Sequence, residues 1–431
     1  MPILVRLPAA RGLSGTAPIR FVTVRRSGAR DTTALAVGSA TNGVLAYVFF
    51  SLVTHAIGSK AAAPVSVLWT YWAAAGAVLT FPLQHWISRT VAVDQGETGV
   101  RAALPGISGV VVLLAAPVGA LAWLGRSSLF HRGGLLFPLL IAGVTVGSGF
   151  LGVVRGMLTA RTRFAALATA LAAENGVRCV GAVILSVAGV DAPAAYGGVL
   201  LAGQLIGFAW PSTLRPRNDG EHRASEAPLA FLGNVAGGSL IGQVILTGGP
   251  VLLALRGGSA AQVTALFAGL ALFRAPYVLS LGVVAQLTGR LTALVTADRH
   301  DVLRRVRLAI LTLTVIGSAV GAVVGAGIGP LLVRTVFGAD VRIAARPSAA
   351  IGAASAVAIA NLVMTLSLIA RGRANAVLRS WAVASAAGAI VLAFGLQPVS
   401  EAVTVFAVAE AVAFVVMVVE EPRQPVQAGA R

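Results

Sequence analysis

Ionisable side chains are scarce inside the apolar stretches of this 431-residue chain, so each one there needs a physical reason. Arg274 stands mid-way along an apolar run, in Arg274-Ala275-Pro276. An arginine at membrane depth must face a protein interior or a water-filled cavity rather than lipid. The proline two residues on predicts a bend there. No acidic residue lies within four positions, so the partner must come from another helix or from a bound anion. That pattern predicts the cationic wall of an anion-binding cavity. Asn234 and Gln243, on the preceding run that ends in Thr247-Gly248-Gly249-Pro250, are candidates for the same cavity. Uncharged amides inside a membrane serve more often as interhelical hydrogen-bonding groups.

A second polar set sits in Glu174-Asn175-Gly176-Val177-Arg178. Glu174 and Arg178 are four apart and share a helix face, so they can pair. Either they form a polar cavity wall with a carboxylate that takes up a coupling proton, or they neutralise each other and stabilise packing. Arg155, at the end of its run, either snorkels to the surface or joins the cavity. Glu410 has no local cation; it is a second coupling candidate, or it faces water or a distant arginine.

The elements that hold these residues follow from composition. The chain is 57% hydrophobic and 11% charged, with a mean hydropathy of +0.87. Soluble domains carry roughly 25% charged residues. This is an all-α polytopic membrane protein. Twelve apolar runs of helical length are expected at 32–54, 64–84, 104–124, 134–156, 164–188, 193–212, 229–253, 260–284, 306–329, 347–370, 376–396 and 399–419. With the amino terminus placed inside, alternation puts 24 of the 33 basic residues on one face and seven on the other. The orientation rule therefore predicts both termini cytoplasmic in a multi-pass protein of the cytoplasmic membrane.

The polar stretch 213–228 divides the chain into a first lobe, 32–212, and a second, 229–420. Residues 1–31 read as a disordered basic cytoplasmic tail and 421–431 as a second cytoplasmic tail. Ala62-Ala63-Pro64-Val65-Ser66-Val67-Leu68-Trp69 echoes Ala260-Ala261-Gln262-Val263-Thr264-Ala265-Leu266-Phe267, each at the start of the second span of its half. Six plus six spans in one orientation implies parallel repeats with a site between them.

Several function classes fall away. The net charge of +18 is explained by orientation, so no nucleic-acid partner is expected. No Cys/His cluster has metal-ligand spacing, and no phosphate-binding Gly-Lys loop is present. No catalytic set emerges, so a transporter without cofactors or metals is expected rather than an enzyme.

Val154-Arg155-Gly156, Glu174-Asn175-x-x-Arg178, Gly248-Gly249-Pro250, Arg274-Ala275-Pro276, Gly329-Pro330-Leu331-Leu332 and Phe337-Gly338 together resemble the polysaccharide flippases, over about residues 32 to 420. These are the oligosaccharidyl-lipid exporter branch of the multidrug/oligosaccharidyl-lipid/polysaccharide exporter superfamily. The resemblance implies a V-shaped transporter of two six-helix lobes that alternates access around a cationic cavity. It implies a polyprenyl-diphosphate-linked glycan as substrate, membrane lipids as surroundings, and glycosyltransferases of the same pathway as partners. It places Arg274, Arg178 and Arg155 as candidates to hold the diphosphate. Lipid II flippases often have fourteen spans, against twelve expected here. The alternatives are a multidrug or cation antiporter of the same superfamily and a non-transporting scaffold of a glycan synthesis complex. Antiporters of that branch use carboxylates in the first or seventh span, where this chain has only Asp31 at the entrance.

Overall fold

A computed structural model describes residues 29–219, 241–296, 300–371 and 373–421. Most of the basic tail, residues 220–228 of the linker, Asn234 and residues 422–431 lie outside the described residues.

The described chain is helical, with no strand among the described residues. The helical run Ala29–Ala75 is broken at Gly58, whose φ of 73° is in the left-handed region that glycine adopts freely. The break is a reversal. Phe49 and Trp69 are 20 positions apart, about 30 Å on an unbroken helix, yet their rings lie 5.1 Å apart. The two arms are α1 (29–57) and α2, which starts at 59, passes a π-helical turn at Gly76–Thr80 and runs on through Phe81–Asp94. The expected second span stopped at 84; α2 continues for three further turns.

The remaining long helices are α3 (Thr98–Leu124), α4 (Leu136–Ala160), α5 (Phe164–Val187), α6 (Pro193–Gln204) and α7 (241–255, interrupted at Gly248). They continue as α8 (Ala260–Thr296), α9 (His300–Gly327), α10 (Ala345–Ala370), α11 (Ala374–Val391) and α12 (Pro398–Glu420). Eight of the described helical stretches are long and apolar enough to cross a membrane, with the folded-back α1–α2 pair counted as one.

Packing is dense within each half of the chain. α5 lies along α1–α2, and α2 and α3 pack on α4. In the second half α10 packs on α8, α9 and α12, and α11 packs on α12. At the end that carries most of the arginines, each half is clamped to itself. Glu97 takes two hydrogen bonds from Arg161 (2.6 and 2.8 Å) and one from the Arg217 amide (2.7 Å), while the Glu97 amide donates to Asp219. Burial pushes the Glu97 carboxyl up, but the Arg161 and Arg217 contacts outweigh it and hold it below its ordinary value. In the second half Glu421 pairs with Arg307 and Arg371, and Glu420 with Arg373 and Arg379.

The contacts that join the halves gather at the arginine-poor end. Phe50 packs on Phe267 (4.4 Å between centroids) and on Phe337 (5.6 Å). Ser51 Oγ donates to the Val336 carbonyl (2.5 Å) and Thr264 Oγ1 to the Ser59 carbonyl (2.7 Å). The Ser59 amide, at the buried start of α2, donates to Asp340 Oδ2 (2.5 Å). Replacing Gly58 by alanine forces a side chain into a left-handed backbone and should cost about 1–2 kcal/mol. Thermal unfolding in detergent should show a lower midpoint for Gly58→Ala; an unchanged midpoint would mean that the α1–α2 reversal tolerates another geometry.

Candidate functional site

Above the aromatic seal lies a cavity of about 770 Å³ walled by both halves. Asn42 and Tyr47 come from α1; Trp69, Trp72, Gln84 and His85 from α2; Asn175 from α5; Gln243 and Thr247 from α7; Arg274 and Tyr277 from α8. No carboxylate stands among its described lining residues. The π-helical turn of α2 borders it through Ala77, a backbone irregularity of the kind often found at functional positions.

Arg274 is the cation of this cavity. Its Nε and Nη2 are buried and have no hydrogen-bond partner among the described residues. Its guanidinium carbon lies 5.5 Å from the centre of the Phe406 ring. Tyr47, beside it, donates to the Ala271 carbonyl (2.7 Å) and so ties α1 to α8 one turn before Arg274. Glu410 is within Coulomb range of Arg274 but is held elsewhere: Asn361 Nδ2 donates to its Oε2 (2.7 Å) and to its carbonyl (2.9 Å). Buried donors without acceptors are costly in any protein interior. Two of them on one cation, at the wall of a cavity, suit an anionic ligand.

The other predicted charges are arranged differently. Glu174 is fully buried between two arginines. Arg178 Nη2 donates to its Oε1 at 2.7 Å, and Arg155 Nη2 bonds its Oε2. Arg178 spends its other donors on Asn175 Oδ1 (2.7 Å) and the Leu200 carbonyl (3.0 Å), and its guanidinium lies 4.3 Å from the Trp72 ring centre. Asn175 in turn donates to Asn42. Only Asn42, Asn175 and Trp72 of this network reach the cavity; Arg155, Glu174 and Arg178 stand behind the wall. Arg155 turns inward onto Glu174 instead of snorkelling. Gly203 on α6 makes room for this arrangement: a Cβ there would lie 2.5 Å from Arg178 Nε.

The structure thus brings Arg274 and Gln243 to one cavity, sets Arg155, Glu174 and Arg178 behind it, and places Glu410 against Asn361. The aromatic lining was not singled out in the sequence. The signal was present: Asn42, Ala46, Tyr47 and Phe50 follow the helical repeat of one face, as do Trp69, Trp72, Ala73 and Ala77.

No family model matches the sequence, and no curated protein matches it. The fold does have solved counterparts. A multidrug resistance MATE family transporter of the MOP superfamily, in an inward-facing conformation, aligns with a TM-score of 0.67 at 14% identity, over 88% of this chain and 93% of that one. An outward-facing MATE family transporter of the MOP superfamily aligns at 0.57, also 14% identical, over 91% and 94%. The lipid II flippase MurJ, inward closed, aligns at 0.60 and 14% identity, over 91% and 88%. The chain shares the V-shaped, all-helical fold of these solved transporters.

Two outcomes follow from the geometry. Glu174→Gln removes the counter-charge from two buried guanidiniums and should cost about 3–5 kcal/mol. Arg274→Met removes unpaired buried donors, each a liability of about 1–3 kcal/mol, and should leave stability unchanged or raised. Thermal unfolding of both variants in detergent checks this; the reverse ranking would make Arg274 the structural charge.

The seal makes a prediction about pH. Partial burial pushes the Asp340 carboxyl up, but the Ser59 hydrogen bonds and nearby His55 outweigh it and hold the carboxyl below its ordinary value of 3.8. A depressed carboxylate contributes fully above the ordinary value and is lost only as pH falls through the lowered one. Spin-label distances across the arginine-poor end should therefore stay constant from about pH 8 to about pH 5. They should broaden in Asp340→Ala at every pH. Broadening of the wild type near neutral pH would remove Asp340 as the closing carboxylate.

Proposed function

We propose that this transporter flips a polyprenyl-diphosphate-linked oligosaccharide across the cytoplasmic membrane for cell-surface polysaccharide assembly. The observation that carries this reading is Arg274: a buried guanidinium with two nitrogens unpartnered among the described residues, on a cavity whose described lining has no carboxylate. A diphosphate offers the acceptors those donors lack, in the forked geometry that suits guanidinium. Tyr47, Trp69, Trp72 and Tyr277 supply apolar faces with polar tips, a lining suited to sugar rings. About 300–1,000 Å³ is the usual range of ligand sites, and the cavity falls within it, so it would hold the diphosphate and adjoining sugars while the tail stays in lipid.

The arginine-rich end is the cytoplasmic end on this reading, with both termini there, as the orientation rule requires. The lobes 32–212 and 229–420 rock as two bodies, each clamped to itself at the cytoplasmic end by its own ion pairs. The sealed end faces outward, so the conformation described here is the one that loads substrate. Glu410, placed next to Arg274 without bonding it, receives the guanidinium once the anion has left.

An antiporter of cationic drugs is the second reading, supported by the MATE counterparts of the fold. It requires a carboxylate facing the cavity, which the described lining does not provide. The test is flipping of a fluorescent polyprenyl-diphosphate sugar in proteoliposomes. Loss of the charge-assisted contacts in Arg274→Ala should slow flipping by about 10- to 100-fold, and Arg274→Lys should restore only part of it. Full activity in Arg274→Ala would remove the anion site from the mechanism. Drug-dependent proton exchange by a wild type that flips no lipid would favour the antiporter.

A further inference from the structure

The lipid-facing surface of the first half carries two apolar grooves along the α3–α4 seam, one in each leaflet. The one nearer the arginine-rich end measures about 450 Å³ and is walled by Leu104, Ser108 and Val112 of α3, Val146 and Phe150 of α4, and Leu214. Its floor is where the helices touch: a Cβ on Gly149 would lie 2.7 Å from Val111. Residues 104 to 112 cover about 12 Å of helix axis, close to the depth of one leaflet's hydrocarbon. The groove is therefore shaped for a single acyl chain.

Two arginines adjoin its wall residues in the chain. Arg101 is one turn before Leu104 and Pro105 on α3, on the same helix face. Arg215 follows Leu214, in a segment held in place by the Arg161 bond to the Ser212 carbonyl (3.0 Å). Both arginines are exposed, and neither side chain has a hydrogen bond or ion pair among the described residues. The second groove, about 310 Å³ beside Trp123, provides a contrast. Its arginine, Arg126, is already bound to the Gly133 and Trp123 carbonyls and stacked 5.0 Å over Trp123. Both grooves suit a chain; the first has two such arginines beside it, whereas the second has Arg126 already engaged and a single exposed arginine, Arg132, three residues before its wall residue Leu135.

We infer that the groove at Arg101 and Arg215 is a binding site for one anionic phospholipid of the arginine-rich leaflet, its chain between α3 and α4 and its phosphate on the two guanidiniums. The site is on the outer flank, away from the central cavity, and does not depend on what the cavity carries. Its occupant would brace α3 against α4 and hold the 211–215 segment at the membrane surface.

Native mass spectrometry tests this, with the full chain in micelles containing phosphatidylglycerol and phosphatidylethanolamine of matched chains. The wild type should retain one phosphatidylglycerol with a preference of about 30-fold, the contribution expected of two interfacial arginines. Arg101→Gln/Arg215→Gln should bring the preference to parity. Val112→Trp, which fills the groove from the lipid side, should abolish retention, whereas Ala116→Trp in the second groove should leave the preference intact. Equal retention of both lipids by the wild type would overturn the inference, as would full retention in Val112→Trp. If the double variant does not yield folded protein, the wild-type competition and the two tryptophan variants still decide the matter.

Discussion

A carboxylate gripped by two guanidiniums holds the first half of this protein together. In a bilayer no water is at hand to solvate a stray charge, so Arg155, Glu174 and Arg178 must satisfy one another. In doing so they join α4 to α5. Arg178 reaches on to the Leu200 carbonyl of α6 and the Trp72 face of α2, and Asn175 carries the network to Asn42 of α1. Five helices are registered against one buried anion. Part of the cavity wall is the outer surface of that network, so its shape is set by electrostatics behind it.

Arg274 is the counter-example within the same molecule. Nothing satisfies two of its nitrogens, although a carboxylate is nearby. Asn361 holds Glu410 in a different direction, and Phe406 offers the guanidinium only an aromatic face. In the first half both buried arginines bond a carboxylate, although Arg155 Nε finds no partner among the described residues, while in the second Arg274 bonds none at the cavity. Unsatisfied buried groups of this sort recur where a ligand completes the arrangement, and they weaken the fold until it does.

Much of this was legible in the sequence, and the reasons are specific. The long apolar runs announced an all-helical membrane protein because length and apolar composition alone decide that. Arg274 stood out because it had no local partner. Arg155 could not be paired with Glu174 in advance: they are 19 positions apart on successive helices. The aromatic stripes of α1 and α2 kept a helical repeat, but a membrane helix is apolar towards lipid and towards protein alike, so the repeat alone did not say which face was the inner one. The extension of α2 past residue 84 was missed because it follows a π-helical turn and ends in a polar segment. The Asp340 contact with Ser59 joins two turns 281 positions apart, a pairing that no local pattern announces.

The charge at the cavity has an electrical consequence. With both carboxylates ionised, Arg155, Arg178, Arg274, Glu174 and Glu410 leave one net positive charge inside the membrane. On the flippase reading, a bound diphosphate turns that surplus negative. Each elementary charge moved through the full field is worth about 2.3 kcal/mol per 100 mV. The loaded and empty carriers would then be driven in opposite directions by a membrane that is negative inside. The voltage would push the laden form outward and draw the vacant one back, so the resting potential alone would supply a direction to the cycle.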